Sequence, residues 1–69
     1  MLLISRFEGG VPVPVTLCHQ KIGAARFFME NGYTPDDVRT FEWDESHDDY
    51  VDVFTGRERY RVERVPVYD

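Results

Sequence analysis

The chain has 69 residues, one cysteine and a formal charge of -5, which together fit one domain, residues 1–69, without an internal disulfide. A chain of this length buries about 60% of the surface that it exposes when unfolded, so we expect modest stability. The single cysteine suits a reducing compartment, and the apolar run at the start is too short for a membrane span or a signal peptide, so we expect a cytoplasmic location.

The first half of the chain predicts a hairpin followed by the longest helix. Leu2 to Phe7 forms the first strand, and Gly9 and Gly10 supply a turn into a second strand. Two prolines in that strand cannot donate to a ladder, so it must be an edge strand or an extended connection. A helix is predicted from Thr16, as its N-cap, to Gly32, just past its C-terminus. At 100° per residue, its buried arc contains Leu17, Cys18, Ile22, Ala24, Ala25, Phe28 and Met29.

Phe27 falls almost opposite the centre of that arc. One interpretation is an edge contact with a neighbouring strand or loop, and the other is an exposed anchor for a partner. The edge contact is favoured, because single apolar residues outside the main stripe are ordinary in soluble proteins.

A short second helix is predicted after Gly32. Thr34 suits its cap, Pro35 its first position, and Asp36 and Asp37 its first turn. Carboxylates favour helix N-termini without any ligand, so these two are discounted as binding residues.

Strands are predicted from Val38 to Trp43, from Tyr50 to Phe54 and from Arg57 to Val62. The last two form a hairpin, and a two-residue turn at Thr55-Gly56 pairs Val51 with Tyr60 and Asp52 with Arg59.

This register separates two faces of the hairpin. The face toward the helix contains Val51, Val53, Tyr60 and Val62. The outer face contains Tyr50, Asp52, Phe54, Arg57, Arg59 and Arg61, which favours an ion pair and arginine–aromatic contacts. The predicted fold is α+β: a small antiparallel β-sheet of three to five strands, in the order ββαβββ, with one α-helix packed across one face.

No motif identifies a reaction. Gly9-Gly10 lacks the lysine and the strand-to-helix setting of a phosphate-binding loop. Cys18 and His19 point about 100° apart on the predicted helix and cannot act on each other. His47 lies among four carboxylates, but the spacing fits neither an EF-hand nor a zinc site. We therefore expect no cofactor and no specific metal site, with loose binding of a divalent ion as the alternative.

The negative charge is concentrated in one segment. Between Asp36 and Asp52, eight carboxylates face one arginine, which gives -7 within seventeen residues, while the rest of the chain is close to neutral. A phosphate backbone would meet this charge, so direct binding of nucleic acid is disfavoured. The predicted partner-binding residues are Glu42, Trp43, Asp44, Glu45, Asp48, Asp49, Tyr50 and Asp52.

The leading hypothesis is a non-enzymatic module that docks this acidic surface on a basic surface of a partner protein. Carboxylates along a strand and loop can occupy the positions of phosphates, so a nucleic-acid-binding protein is the natural target and the module an inhibitor or decoy. In size and charge the chain resembles small phage-encoded inhibitors of bacterial defence, including anti-CRISPR proteins that occupy DNA-binding surfaces; this resemblance assigns no residue a role. A monomer or weak homodimer without membrane contact is expected.

Three alternatives remain open. The acidic face serves solubility alone; or His47 and its neighbouring carboxylates form a small metal-dependent or hydrolytic enzyme; or the chain is a structural adaptor that pairs with a partner strand or uses Phe27 as an anchor.

Overall fold

The computed structural model describes the backbone of residues 1–66 and their side chains apart from that of Lys21. The elements are β1 (Leu2–Glu8), β2 (Val11–Cys18), α1 (Lys21–Glu30), α2 (Pro35–Thr40), β3 (Glu42–Asp44), β4 (Tyr50–Phe54) and β5 (Arg59–Arg64). The five strands form one antiparallel sheet in the order β2-β1-β5-β4-β3. The α+β fold with a helix across one face of an antiparallel sheet is confirmed. The prediction of a single domain over 1–69 stays a prediction, and residues 67–69 lie outside the described part.

The hairpin of β1 and β2 is confirmed, and β2 is an edge strand as its prolines require. Gly9 and Gly10 form its two-residue turn with φ of 58° and 81°. Glycine adopts this left-handed region without steric cost, and a turn with two positive φ values matches the twist of the flanking strands.

The predicted start of the long helix is wrong. Thr16 does not cap it but lies in β2 opposite Ile4, and α1 begins at Lys21 with Gln20 as N-cap. Val11–Cys18 pairs with β1 along its length except at Val15, where the register shifts, and these ladder hydrogen bonds outweigh the single hydrogen bond that a threonine cap supplies. The predicted end is confirmed, because α1 stops at Glu30 and Gly32 follows with φ of 92°.

The buried stripe of α1 is narrower than predicted. Ala24 and Phe28 are buried and Phe27 is partly buried, whereas Ile22 is 64% exposed and Met29 42%. The predicted arc included residues of β2, and the true stripe follows the spacing i, i+3 and i+4. Phe27 packs edge-on against the ring of Tyr60 at 5.9 Å between centroids, which confirms the edge contact. Leu17 belongs to β2 and is 56% exposed.

The short helix α2 is confirmed, and it extends for six residues after its N-cap, Thr34. Thr34 Oγ1 accepts from the Asp37 N–H at 3.1 Å, and the Asp37 carboxylate accepts from the Thr34 N–H at 2.8 Å. The helix continues to Thr40, so the strand predicted from Val38 is wrong over its first four residues, and β3 begins at Glu42. Thr40 Oγ1 closes the last turn by donating to the Asp37 carbonyl at 2.7 Å.

The register of the β4–β5 hairpin is displaced by two residues from the prediction. Val51 lies opposite Val62, and Asp52 lies opposite Arg61. The Thr55 N–H donates to the Glu58 carbonyl at 3.0 Å and Gly56 has φ of 89°, so the turn is Gly56-Arg57, one residue later than predicted. Because the displacement is even, the residues within β4 and β5 keep their predicted faces. Arg57, predicted to begin the last strand on the outer face, lies in the turn instead, with its guanidinium 4.4 Å from the centroid of the Tyr33 ring.

The core lies between α1 and the sheet and centres on Phe28, which is 0% exposed. Its ring meets five aromatic rings edge-to-face, with centroids 5.0 to 6.3 Å apart: those of Phe27, Tyr33, Phe41, Trp43 and Tyr60. This cluster joins α1, the residues on either side of α2 and the strands β3 and β5.

Candidate functional site

Asp52 points to the outer face of the sheet, yet it is only 3% exposed. Its carboxylate accepts from Arg59 Nη2 at 2.5 Å and from Arg61 Nε at 2.8 Å. Burial raises the pKa of this carboxyl, but the hydrogen bonds and charges of Arg61 and Arg59 outweigh burial and leave the pKa below its ordinary value. The charge of Asp52 is therefore neutralised inside the protein and adds little to the acidic surface.

Aromatic rings cover this ion pair. The Arg59 guanidinium lies over the Phe7 ring at 4.1 Å, and that of Arg61 lies over the Tyr50 ring at 3.9 Å and over Phe7 at 5.1 Å. The sequence predicted arginine–aromatic contacts on this face. It did not predict the contribution of Phe7, because that contact depends on the pairing of β1 with β5.

Tyr50 supports the loop of residues 45–49, which we call the acidic loop. The His47 ring stacks on the Tyr50 ring at 4.3 Å with 20° between the planes, so Tyr50 lies between an imidazole and the Arg61 guanidinium. The Arg64 N–H also donates to the Asp49 carbonyl at 3.1 Å, which fastens the end of the loop to β5.

Asp44 fastens the start of the acidic loop. Its Oδ1 accepts from the Ser46 N–H at 3.0 Å and from Ser46 Oγ at 2.6 Å. These bonds favour the ionised form and lower the pKa of the Asp44 carboxyl. Asp44 is thus a structural residue of the loop rather than a freely presented charge.

The remaining carboxylates of the predicted site are exposed: Glu42, Glu45, Asp48 and Asp49. None of them lies within 4.0 Å of a basic group among the side chains that the structure describes. Glu42 is on the outer face opposite Phe54, away from the acidic loop. The other three sit together on the loop.

A pocket of about 520 Å³ opens beside the acidic loop on the helix side of the sheet. Its lining residues are of two kinds. We call the aliphatic ones the floor: Leu2, Ala24, Val51 and Val62. We call the aromatic and charged ones the rim: Trp43, Glu45, His47, Asp48, Asp49, Tyr50 and Arg64. Trp43 is 41% exposed, and its indole packs edge-on against Phe28 at 6.3 Å. The pocket brings together five of the eight predicted residues and leaves out Glu42, Asp44 and Asp52.

Sequence reasoning missed this pocket because its floor comes from four elements: the start of β1, the first half of α1 and the facing strands β4 and β5. The only local signal was Trp43, a large aromatic residue inside an acidic segment. Within residues 1–66, His, Cys, Asp and Glu side chains form no group of three or more arranged to hold a metal ion.

In the described ranges, neither helix has the length and apolar character needed to cross a membrane. Comparison of the chain with protein-family models, with curated proteins and with solved structures gives no match.

Proposed function

We propose that the protein is a non-enzymatic binding module that docks its acidic loop on a basic surface of a partner protein. The observation that supports this proposal is a set of three exposed carboxylates on a loop fastened at both ends, none with an ion-pair partner among the described side chains: Glu45, Asp48 and Asp49. A basic surface of this kind is what a nucleic-acid-binding protein offers to phosphates, so the module acts as an inhibitor or decoy of such a protein.

The distribution of satisfied charges supports the choice of this loop over the other acidic residues. Asp52 is held by two arginines, Asp36 lies 3.5 Å from Arg39, and Asp37 accepts from the backbone at the start of α2. A carboxylate that already has a partner gains little from a second cation. The loop carboxylates have no such partner among the described side chains, so a cationic protein surface is attracted to them first.

The fastening of the loop also favours binding. The Asp44 bonds to Ser46, the stacking of His47 on Tyr50 and the bond to the Asp49 carbonyl restrict the loop before any partner arrives. Less conformational entropy is then lost on association, and more of the electrostatic attraction appears as affinity.

The proposal is tested by affinity capture from a lysate of the organism that encodes the protein. The loop variant carries Glu45→Gln, Asp48→Asn and Asp49→Asn, and leaves Asp44 in place because that residue shapes the loop. We expect the wild-type protein to retain a nucleic-acid-binding protein at low salt and to release it when added salt screens the charges. The loop variant is expected to retain no such protein.

A matched control removes the same number of carboxylates elsewhere: Glu8→Gln, Glu30→Gln and Asp36→Asn, all on exposed residues. The control is expected to capture the partner as the wild type does. Equal capture by the loop variant and the wild type, with both folded by circular dichroism, would exclude the acidic loop as the binding site.

A further inference from the structure

We propose that the pocket beside the acidic loop receives an arginine side chain of the partner, together with an apolar residue next to it in the partner's chain. This inference rests on the proposed function and specifies which part of the partner is recognised.

The shape of the pocket requires an occupant with apolar surface. A volume of about 520 Å³ lies within the range of ligand sites and exceeds what one side chain fills. The floor is made of aliphatic groups from Leu2, Ala24, Val51 and Val62, and these cannot satisfy a wholly polar occupant. An arginine stem with an apolar neighbour matches this floor.

The rim selects a cation. Three carboxylates, those of Glu45, Asp48 and Asp49, line the pocket against the one guanidinium of Arg64. The rim is therefore negative overall, and a positively charged group is the complementary occupant. A neutral or anionic side chain would leave these carboxylates without a partner when the surface becomes buried.

The same rim favours arginine over lysine. The indole of Trp43 is 41% exposed beside the carboxylates, and a planar guanidinium stacks on an aromatic ring while it pairs with carboxylate oxygens. The protein uses this chemistry on its own outer face, where Arg61 lies 3.9 Å above the Tyr50 ring and donates to Asp52 at 2.8 Å. A lysine ammonium forms a point contact and loses the stacking.

The inference is tested with three capped tripeptides: acetyl-Leu-Arg-Leu-amide, its lysine analogue and its citrulline analogue, in which the guanidinium is replaced by a neutral group of nearly the same shape. Trp43 is the only tryptophan of the chain, so its fluorescence reports on the pocket, and amide chemical shifts locate the peptide. We expect the arginine peptide to shift Leu2, Ala24, Val51 and Trp43 in a saturable manner. The lysine and citrulline peptides are expected to bind about threefold and about tenfold more weakly.

Two variants test the charges with opposite signs. The double variant Asp48→Asn/Asp49→Asn is expected to lower the affinity for the arginine peptide by about two- to fivefold per carboxylate removed. Arg64→Gln is expected to raise this affinity by a similar factor. The paired control Glu30→Gln/Asp36→Asn, away from the pocket, is expected to leave the affinity unchanged. The inference would be overturned if the citrulline or the lysine peptide bound as tightly as the arginine peptide. It would also be overturned if the peptide changed the chemical shifts of residues outside the pocket instead of those that line it.

The outcomes also separate this inference from the proposed function. If the loop variant loses its captured partner but the arginine peptide does not enter the pocket, the inference is wrong and the acidic loop alone binds the partner. If the peptide enters the pocket but capture does not depend on the loop, the arginine pocket stands and the proposed docking surface is wrong.

Discussion

Replacing Asp52 with asparagine is expected to destabilise the fold strongly, although Asp52 lies on the outer face of the sheet. The carboxylate is 3% exposed and accepts three hydrogen bonds, from Arg59 Nη2 at 2.5 Å and from Arg61 Nε and Nη2 at 2.8 and 3.3 Å. Asparagine keeps the size of the side chain but removes its charge, and it presents an amide donor toward two guanidinium groups.

The magnitude follows from the exposure of the partners. Removing one member of a buried ion pair costs about 3–5 kcal/mol, and a hydrogen bond to a charged group contributes about 1.5–3 kcal/mol. Arg59 and Arg61 have side chains 42% and 22% exposed, so water partly rehydrates them after the substitution. We therefore expect a loss of about 2 kcal/mol. Since a chain of this length has a stability of about 3–10 kcal/mol, the loss is a large fraction of the total.

The assay is equilibrium unfolding in urea, followed by circular dichroism and by Trp43 fluorescence. The midpoint is expected to fall with the slope unchanged, and the melting temperature to fall by about 10 °C. Asp36→Asn is the matched control, because the Asp36 side chain is 90% exposed and its contact with Arg39 is at 3.5 Å, so a much smaller effect is expected. A loss below about 0.5 kcal/mol for Asp52→Asn would refute the reasoning that this ion pair stabilises the fold.

Two further predictions concern the same ion pair and the approach of β2 to α1. The pKa of Asp52 is lowered in the folded state, so the stabilisation by its carboxylate is complete above the unfolded pKa of about 4 and is lost as the pH falls below that value. We therefore expect the difference in unfolding free energy between the wild type and Asp52→Asn to shrink between pH 6 and pH 2. A constant difference over this range would contradict the lowered pKa. Gly23→Ala is expected to lower the free energy of unfolding in urea by about 1–2 kcal/mol, because the added Cβ would lie 2.7 Å from Cys18 Cβ. An increase of about 1 kcal/mol, as at an unconstrained helical glycine, would show that β2 and α1 are not in close contact.

Local chemistry predicted much of the fold. The glycine pair at Gly9-Gly10, the prolines of β2 and the capping residues Thr34 and Pro35 each determine backbone geometry within a few residues, and each prediction was confirmed. Alternation of apolar and polar residues assigned the faces of β4 and β5 correctly. An error of two residues in their register did not change these faces, since side chains alternate with period two.

The errors arose where a local signal competed with a distant contact. Thr16 is a good helix cap in isolation, but its backbone pairs with Ile4 of β1 instead. The predicted start of β3 at Val38 gave way to α2, whose capping box nucleates a helix through Thr40. Hydrophobic periodicity does not decide either outcome. In each case two arrangements satisfy the backbone hydrogen bonds, and the arrangement of lower free energy forms.

The candidate site was predicted in part for the same reason. The density of carboxylates in the sequence located the acidic loop, but charge counting does not reveal which carboxylates the fold itself neutralises. Asp52 is paired with Arg61 across β4 and β5, and Asp44 is bonded to Ser46. The pocket with Trp43 on its rim needed the assembled sheet and helix, since its floor joins residues from both ends of the chain.

The prolines of β2 have a consequence for self-association of the protein. Val11, Val13, Val15 and Leu17 are 37–60% exposed on this outermost strand, a composition that would otherwise template fibrils. Pro12 and Pro14 lack the N–H that an incoming chain requires, so at these two positions they act as gatekeepers against growth of the sheet. The opposite border, β3, has only three residues to offer. Pairing of another strand with either border of the sheet is thereby disfavoured.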